Sequence, residues 1–233
     1  MREKEKKQMM FRNEWKHSVN RSDYMTIRNR LSVIAKDNIH AGLGGKYRVR
    51  SLRFEEPEEE KKKGLINAIS KKESFRIRFY NENTEYIRLE KVIRINGKCG
   101  KLSARLTENE CRKILSGQLD WMEDSEEPLI AEFYGRLAQN GCRPGSVVDC
   151  QREAFVYRSC NVRITMDSEI RSGIPAAELL NIRDTAGFVP EKEAVILEVK
   201  YDCFLPEIIR SAIRVKEPSQ SSFSRYEARH VFG

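Results

Sequence analysis

The chain has no apolar run close to the roughly 20 residues that a membrane-spanning helix needs. Its N-terminus, MREKEKKQMMFRNEWK, has no apolar signal core, which argues against export and for a cytoplasmic protein. If it works at a membrane, a membrane partner protein holds it there. The six cysteines form no CxxC and the three histidines are scattered, which argues against a zinc site, and reduced thiols are expected. There is no Ser/His or Cys/His signature of nucleophilic catalysis. The glycine-rich HAGLGG (40–45) lacks the Lys-Ser/Thr and the preceding strand of a phosphate-cradling loop, and reads as a turn. No Pro/Gly/Ser linker, composition break or internal repeat divides the chain. The expectation is therefore a disordered, charged leader over 1–10 and a single domain over 11–233, long enough to bury a core.

What is present is charge, with a basic excess. Lys and Arg number 43 against 35 Asp and Glu, for a formal net charge of +8. That balance favours a polyanionic partner: nucleic acid, an anionic membrane surface or phosphate-rich small molecules.

The charge is patterned. Val147 to Ile170 reads as a hairpin with a polar turn at Arg158 to Cys160. In its second run Asn161, Arg163, Thr165 and Asp167 take one face, and Val162, Ile164 and Met166 the other. In its first run Arg152 shares a face with Cys150 and Ala154. The same alternation recurs along the chain. FRNEWKH (11–17) puts Arg12, Glu14 and Lys16 together. SFRIRFY (74–80) sets Arg76, Arg78 and Tyr80 against Phe75, Ile77 and Phe79. YIRLEKVIRI (86–95) sets Arg88, Glu90 and Arg94 against Ile87, Leu89, Ile93 and Ile95, before the turn signal Asn96-Gly97. AVILEVKYD (194–202) sets Glu198, Lys200 and Asp202 against Val195, Leu197, Val199 and Tyr201. Lys46 to Phe54 is a further strand.

Helices punctuate these strands. Ser22 offers an N-cap to an amphipathic helix over about 22–36, built on Ile27, Leu31 and Ile34 or Ala35. EEPEEEKKKG (55–64) is a charge run that reads as a solvated face or loop, with a short helix at Leu65 to Ile69. Thr107 to Glu110 is a capping box opening a helix that ends near Gly117. Pro128 starts another, which stops at Asn140-Gly141. Short helical stretches are expected at Ala176 to Asn181 and Leu205 to Ile213, and a polar segment at Ser219 to Tyr226.

One strand with a charged face is an ordinary solvent-facing edge. Five or six such strands are explained more economically by an antiparallel sheet closed into a barrel. Its lumen would carry the charges, and helices would pack on the outer apolar face. Interior charges need partners or a ligand, so a mainly basic lumen needs an anion. An extended phosphate chain suits a narrow tunnel better than a duplex does. The aromatics fall largely on the apolar faces rather than on a basic patch, which disfavours nucleic acid.

The motifs FRNEWKH, YRVRSLRFE, FRIRFYN, RLEKVIRING, VVDCQREAFVY, NVRITMD, ILEVKYD and SSFSRYE, in that order, carry a resemblance. Over about 11–226 the chain resembles the VTC domain, the bacterial single-domain polyphosphate polymerase of the triphosphate tunnel (CYTH-like) superfamily. The resemblance implies an α+β fold: an antiparallel β-barrel tunnel with a charged lumen and helices outside. It implies a cytoplasmic phosphotransferase moving the ATP γ-phosphate onto a polyphosphate chain, with a divalent metal, Mn²⁺ or Mg²⁺. Its partners would be ATP or another triphosphate and inorganic polyphosphate. Carried over residue by residue, Arg76, Arg78, Arg152 and Arg163 would hold the reacting phosphates. Lys16 would join them, Glu198 would hold the metal, and Arg225 stands where the family usually has a closing Lys. Glu90, Arg94 and Lys200 are further tunnel positions.

Three positions depart from the family pattern. Cys150 replaces a common Tyr two residues before the Arg of REAF. Val92 replaces a common basic residue, leaving Arg94 the nearest on that face. Arg225 keeps charge but not the point-like geometry of Lys. The first two changes remove tunnel contacts. The alternatives to a polymerase are therefore an inorganic or nucleoside triphosphatase and a non-catalytic polyphosphate-binding module.

Overall fold

The computed structural model describes residues 9–37, 45–57, 71–181 and 195–215. In chain order they form β1 (Phe11–Val19), α1 (Arg21–Ile34), β2 (Lys36–Asp37), β3 (Lys46–Glu55), β4 (Lys71–Tyr80), β5 (Asn83–Ile95) and β6 (Lys98–Leu106). Then come α2 (Glu108–Leu115), α3 (Pro128–Ala138), β7 (Arg143–Tyr157), β8 (Val162–Ile174), β9 (Val195–Tyr201) and α4 (Glu207–Ile213).

The long strands pair in the order β7-β3-β4-β5-β6-β1-β9-β8, all antiparallel, and β8 pairs back onto β7. Eight strands thus close a ring, and β2 adds a short edge to β7. Closure removes the unpaired strand edges that an open sheet would expose. The hairpin at 147–170 is the β7–β8 pair. Its turn is a single 3-10 turn over Ser159–Asn161, with Cys160 and Asn161 both at positive φ. The Asn96-Gly97 turn, also at positive φ, joins β5 to β6.

Most of the strands' apolar residues go to the helices. Leu52, Phe75, Ile77, Phe79, Ile87, Leu89, Ala104 and Leu106 pack against Cys111 and Ile114 of α2 and Leu129, Ile130 and Phe133 of α3. Phe133 is fully buried, stacked on Phe75 at 5.0 Å and edge-on to Phe54 at 4.7 Å between centroids. Truncating such an aromatic to alanine costs about 3–5 kcal/mol. On the other flank, Val162, Ile164, Met166, Val195, Leu197 and Val199 pack under Tyr24, Ile27 and Leu31 of α1 and Ile209 and Ile213 of α4. Helices therefore cover one face of the ring. Alternation sends many of the charged residues to the other, while Glu153 meets Tyr24 and Arg28 of α1, and Lys91 and Glu73 meet Glu132 and Arg136 of α3, on the covered face.

The structure corrects several expectations. Helix α1 begins at Arg21, one residue before the expected start, because Asn20 rather than Ser22 is its N-cap: the Asn20 side chain accepts from the Asp23 N–H at 2.8 Å. The capping box at Thr107 and Glu110 forms as read. Strand β6 was not anticipated. The cysteines are not all free thiols: Cys160 and Cys203 are joined as a disulfide, while Cys99, Cys111, Cys142 and Cys150 are buried and free. The reason is geometric, since β8–β9 pairing brings the hairpin turn beside the exit of β9 and Asp202 N–H donates to the Cys160 carbonyl at 3.0 Å. HAGLG (40–44), most of the charge run, Leu65 to Ile69, and Ser219 to Tyr226 with Arg225 lie outside the described residues.

Candidate functional site

The helix-free face is built strand by strand. Residues directly opposite one another in the ladder share a face. Arg53 stands opposite Arg76, and Arg76 opposite Glu90. Lys16 stands opposite Glu198, and Glu14 opposite Lys200. Lys200 stands opposite Arg163, and Asp167 opposite Arg152. Arg94 is opposite Cys99, and Lys101 opposite Val92. Each of the eight ring strands thus places at least one Lys or Arg on this face.

Three ion-pair groups result. In the first, Glu90 is 2 % exposed at its side chain and meets Arg76 at 2.7 Å, Lys101 at 2.7 Å and Arg78 at 3.9 Å. Burial would raise the Glu90 carboxyl, but Arg76, Arg78 and Lys101 outweigh it and hold it well below the ordinary carboxylate range.

In the second, Lys16 meets Glu198 at 2.8 Å and Glu14 at 3.6 Å. Lys200 meets Glu198 at 3.0 Å and Glu14 at 3.2 Å, and Arg94 meets Glu14 at 2.8 Å. Burial pushes the Lys16 ammonium down to about 8 against the pull of Glu198 and Glu14. Lys200 is pushed down by burial yet shifts upward overall, because the attraction of the same two carboxylates is stronger. The difference follows exposure: the side chain of Lys200 keeps 26 % of its surface in solvent and that of Lys16 only 7 %. Burial opposes ionisation of Glu198, but Lys16, Lys200 and Arg152 prevail and keep it ionised well below its usual range.

In the third, Arg152 donates two hydrogen bonds to Asp167, at 2.5 and 2.6 Å. Arg163 donates to the Tyr47 hydroxyl at 3.2 Å. Beside them lies an apolar strip on the same face: Tyr47, Val49, Cys150, Ala154, Ile170 and Ile196. Burial pushes the Cys150 thiol far up, so it is an inert packing group there.

The ten residues anticipated from sequence divide as follows. Arg76, Arg78 and Glu90 meet in the first group, and Lys16, Arg94, Glu198 and Lys200 in the second. Arg152 and Arg163 lie on neighbouring strands in the third, and Arg225 lies outside the described residues. Glu14, Arg53, Lys101 and Asp167 are equally part of the face and were missed as site residues. Glu14 and Asp167 had been placed on the right faces by alternation, but their roles as ion-pair hubs depend on which strands become neighbours.

Several polar atoms on this face have no hydrogen-bond partner in the protein: Nε of Arg78, Oγ1 of Thr165, Oγ of Ser103 and Oε1 of Glu14. Glu14 Oε1 lies within ion-pair distance of Lys200 but without hydrogen-bonding alignment. Buried polar atoms left open in this way mark places where a ligand can bind.

The described residues thus form an α+β fold, an antiparallel ring of eight strands with helices on one face. The chain belongs to the VTC domain family, whose model matches residues 11–230. The crystal structure of bh2851 from Bacillus halodurans, a candidate adenylate cyclase, shares the fold with a TM-score of 0.56 at 15 % identity, over 94 % of this chain and 98 % of that one. PH1012 from Pyrococcus horikoshii OT3 aligns with a TM-score of 0.43 at 17 % identity, over 87 % and 85 % of the two chains. No curated protein matches the sequence significantly. Among the described residues no helix is long and apolar enough to cross a membrane.

Proposed function

We propose that the ring encloses a basic tunnel which binds the phosphate chain of ATP or polyphosphate and moves the ATP γ-phosphate onto a polyphosphate acceptor. The observation that carries this reading is the contribution of Lys or Arg by every ring strand to one face. Nine of these cations have been placed above: Lys16, Arg53, Arg76, Arg78, Arg94, Lys101, Arg152, Arg163 and Lys200. Four carboxylates answer them: Glu14, Glu90, Asp167 and Glu198. Cations outnumber carboxylates among the residues placed above, and a polyanion suits such a face. Membership of the VTC domain family supports a polyphosphate or triphosphate ligand.

Phosphoryl transfer needs in-line positioning and cations around the transferring group more than it needs a side-chain nucleophile. Arg78 and Arg163 keep donors open to incoming phosphate oxygens. Arg76 and Arg152 lie beside them, already oriented by Glu90 and Asp167. The terminal oxygen of the acceptor chain attacks the γ-phosphorus, the bond to the β-phosphate bridging oxygen breaks, and ADP leaves.

A divalent metal fits this face as a partial site. Among the described residues no three His, Cys, Asp or Glu side chains form a metal-binding group. Glu198 and Glu14 supply two carboxylates, and Glu14 Oε1 makes no hydrogen bond although Lys200 lies at 3.2 Å and Lys16 at 3.6 Å. That suits a hard cation whose other ligands are phosphate oxygens and water. Bound there, it would supply positive charge to offset that of the phosphates.

Incubation with ATP and Mn²⁺ or Mg²⁺ tests the reading. Polyphosphate appearing with stoichiometric ADP supports it. Phosphate release without chain growth makes the protein a triphosphatase. Binding without turnover under either metal makes it a polyphosphate-binding module, the reading favoured by Cys150, which packs into an apolar strip and offers no hydroxyl to a ligand.

A further inference from the structure

We infer that Asp167 is a built-in competitor for Arg152, and that it sets a threshold favouring chains of several phosphates over a single phosphate. The inference rests on the tunnel reading above. Arg152 presents its planar fork to Asp167 through two hydrogen bonds, with both side chains 12 % exposed. That is the geometry in which a guanidinium otherwise takes a phosphate. The two stand opposite each other in the β7–β8 ladder, so the pair is set by the sheet itself.

The other cations are not equally occupied. Arg163 touches the neutral Tyr47 hydroxyl, and Nε of Arg78 has no partner. Arg78 on β4 and Arg152 on β7 flank the same strand, β3. An incoming phosphate can therefore use Nε of Arg78, whose guanidinium is only 3.9 Å from Glu90 and not hydrogen-bonded to it, and Arg163, but must displace Asp167 to use Arg152. Displacement strands a carboxylate in a poorly solvated place, which is costly. A single phosphate gains one set of contacts against that cost. A chain that also reaches Arg78, Arg163 and the Lys16 group recovers it several times over. Asp167 thus penalises short ligands far more than long ones, as specificity by unfavourable contacts requires.

The test is calorimetric titration of the full chain, in EDTA at low salt, with sodium orthophosphate and sodium tripolyphosphate. For Asp167→Asn, orthophosphate is expected to gain about tenfold or more in affinity and tripolyphosphate much less, so the preference for the longer chain falls about tenfold. Asp167→Glu keeps the charge but spoils the two-point geometry, and should shift the preference in the same direction by a smaller factor. It serves as well if the Asn variant fails to fold. An unchanged preference in both variants, or weaker orthophosphate binding, overturns the inference and leaves Asp167 as a structural partner. Failure of the unaltered protein to bind tripolyphosphate would instead sink the tunnel reading, and the inference with it.

Discussion

Lys16 and Glu198 stand opposite each other in the β1–β9 ladder, and their side chains close to 2.8 Å with Lys16 almost wholly removed from solvent. Burial brings Lys16 down to about 8 from an ordinary 10.5, in spite of two carboxylate neighbours. The sign follows from linkage. Between about 8 and 10.5 the unfolded chain holds a proton that the native chain has lost, so this group favours folding as pH rises through that window. Phosphate binding runs the other way, because the ligand needs the ammonium. Tripolyphosphate affinity should fall by up to about tenfold per pH unit above about 8, where one proton is required for binding. Lys16→Arg keeps its charge throughout and should flatten the profile. Calorimetry from pH 6.5 to 9.5 (about three units across the expected break) checks this, and identical slopes for the two proteins would remove Lys16 from the site.

Glu90 is the hub that lets Arg76, Arg78 and Lys101 coexist. Its folded pKa is depressed, so its stabilising contribution is complete above the unfolded value and is lost as pH falls through the folded one. Glu90→Gln removes that contribution wherever pH would otherwise preserve it and leaves cations facing one another, at a cost of about 3–5 kcal/mol near neutral pH. Tripolyphosphate should restore part of the loss by supplying the missing negative charge. Thermal melts are expected to show a larger ligand-induced rise in Tm for Glu90→Gln than for the unaltered protein. An equal rise would mean that the ligand binds away from Glu90.

Much of this fold is legible in the sequence because the strand period is two and each apolar face is real. Phe75, Ile77 and Phe79 against Arg76 and Arg78 give both the strand and its orientation, and Val162, Ile164 and Met166 against Arg163 do the same. Strand β6 is not legible in that way. Lys98, Lys101 and Arg105 scatter charge over both faces, and Gly100 reads as a breaker. In the structure Gly100 is where the chain before β1 comes close: a Cβ there would lie 2.6 Å from Met9 Sδ and 2.9 Å from Phe11 Cε1. Pairings such as β1 with β9, or Lys101 with Glu90, depend on how the ring closes, and no local pattern encodes that. Cys160 and Cys203 are 43 residues apart and meet for the same reason.

That disulfide makes a separate prediction. It closes a loop of 43 residues carrying β8 and β9, and ties the hairpin turn to the start of the segment leading into α4. In the chain-entropy account such a closure contributes about 4 kcal/mol, and strain or residual unfolded structure commonly reduces this to about 2–4. Arg12 helps hold the same corner through Asp202 at 2.5 Å and the Asn161 carbonyl, so the local contacts persist without the bond. Cys203→Ser should therefore fold, with denaturant stability lower by that amount. A dithiol reductant should lower the unaltered protein to the level of the variant and leave the variant unchanged. If the reductant has no effect on the unaltered protein, the two cysteines are not bonded in solution.

Arg152 and Arg163 lie on adjacent strands and share the third ion-pair group, yet they should respond differently to removal. Arg163 is exposed and has one neutral partner, Tyr47. Arg163→Ala strands no charge, so its Tm should stay close to that of the unaltered protein. Tripolyphosphate affinity should drop about tenfold or more, the worth of a charged hydrogen bond to phosphate. Arg152→Ala removes the partner of Asp167 as well as a ligand contact. It should weaken tripolyphosphate binding and also destabilise the fold by about 3 kcal/mol, because a poorly solvated carboxylate is left alone. Arg152→Ala combined with Asp167→Asn should recover most of that stability and none of the tripolyphosphate affinity. Such a split separates the two jobs of Arg152, holding Asp167 and holding phosphate. Equal loss of stability in both single variants, or recovery of binding in the double variant, would contradict the assignment of these arginines as phosphate contacts.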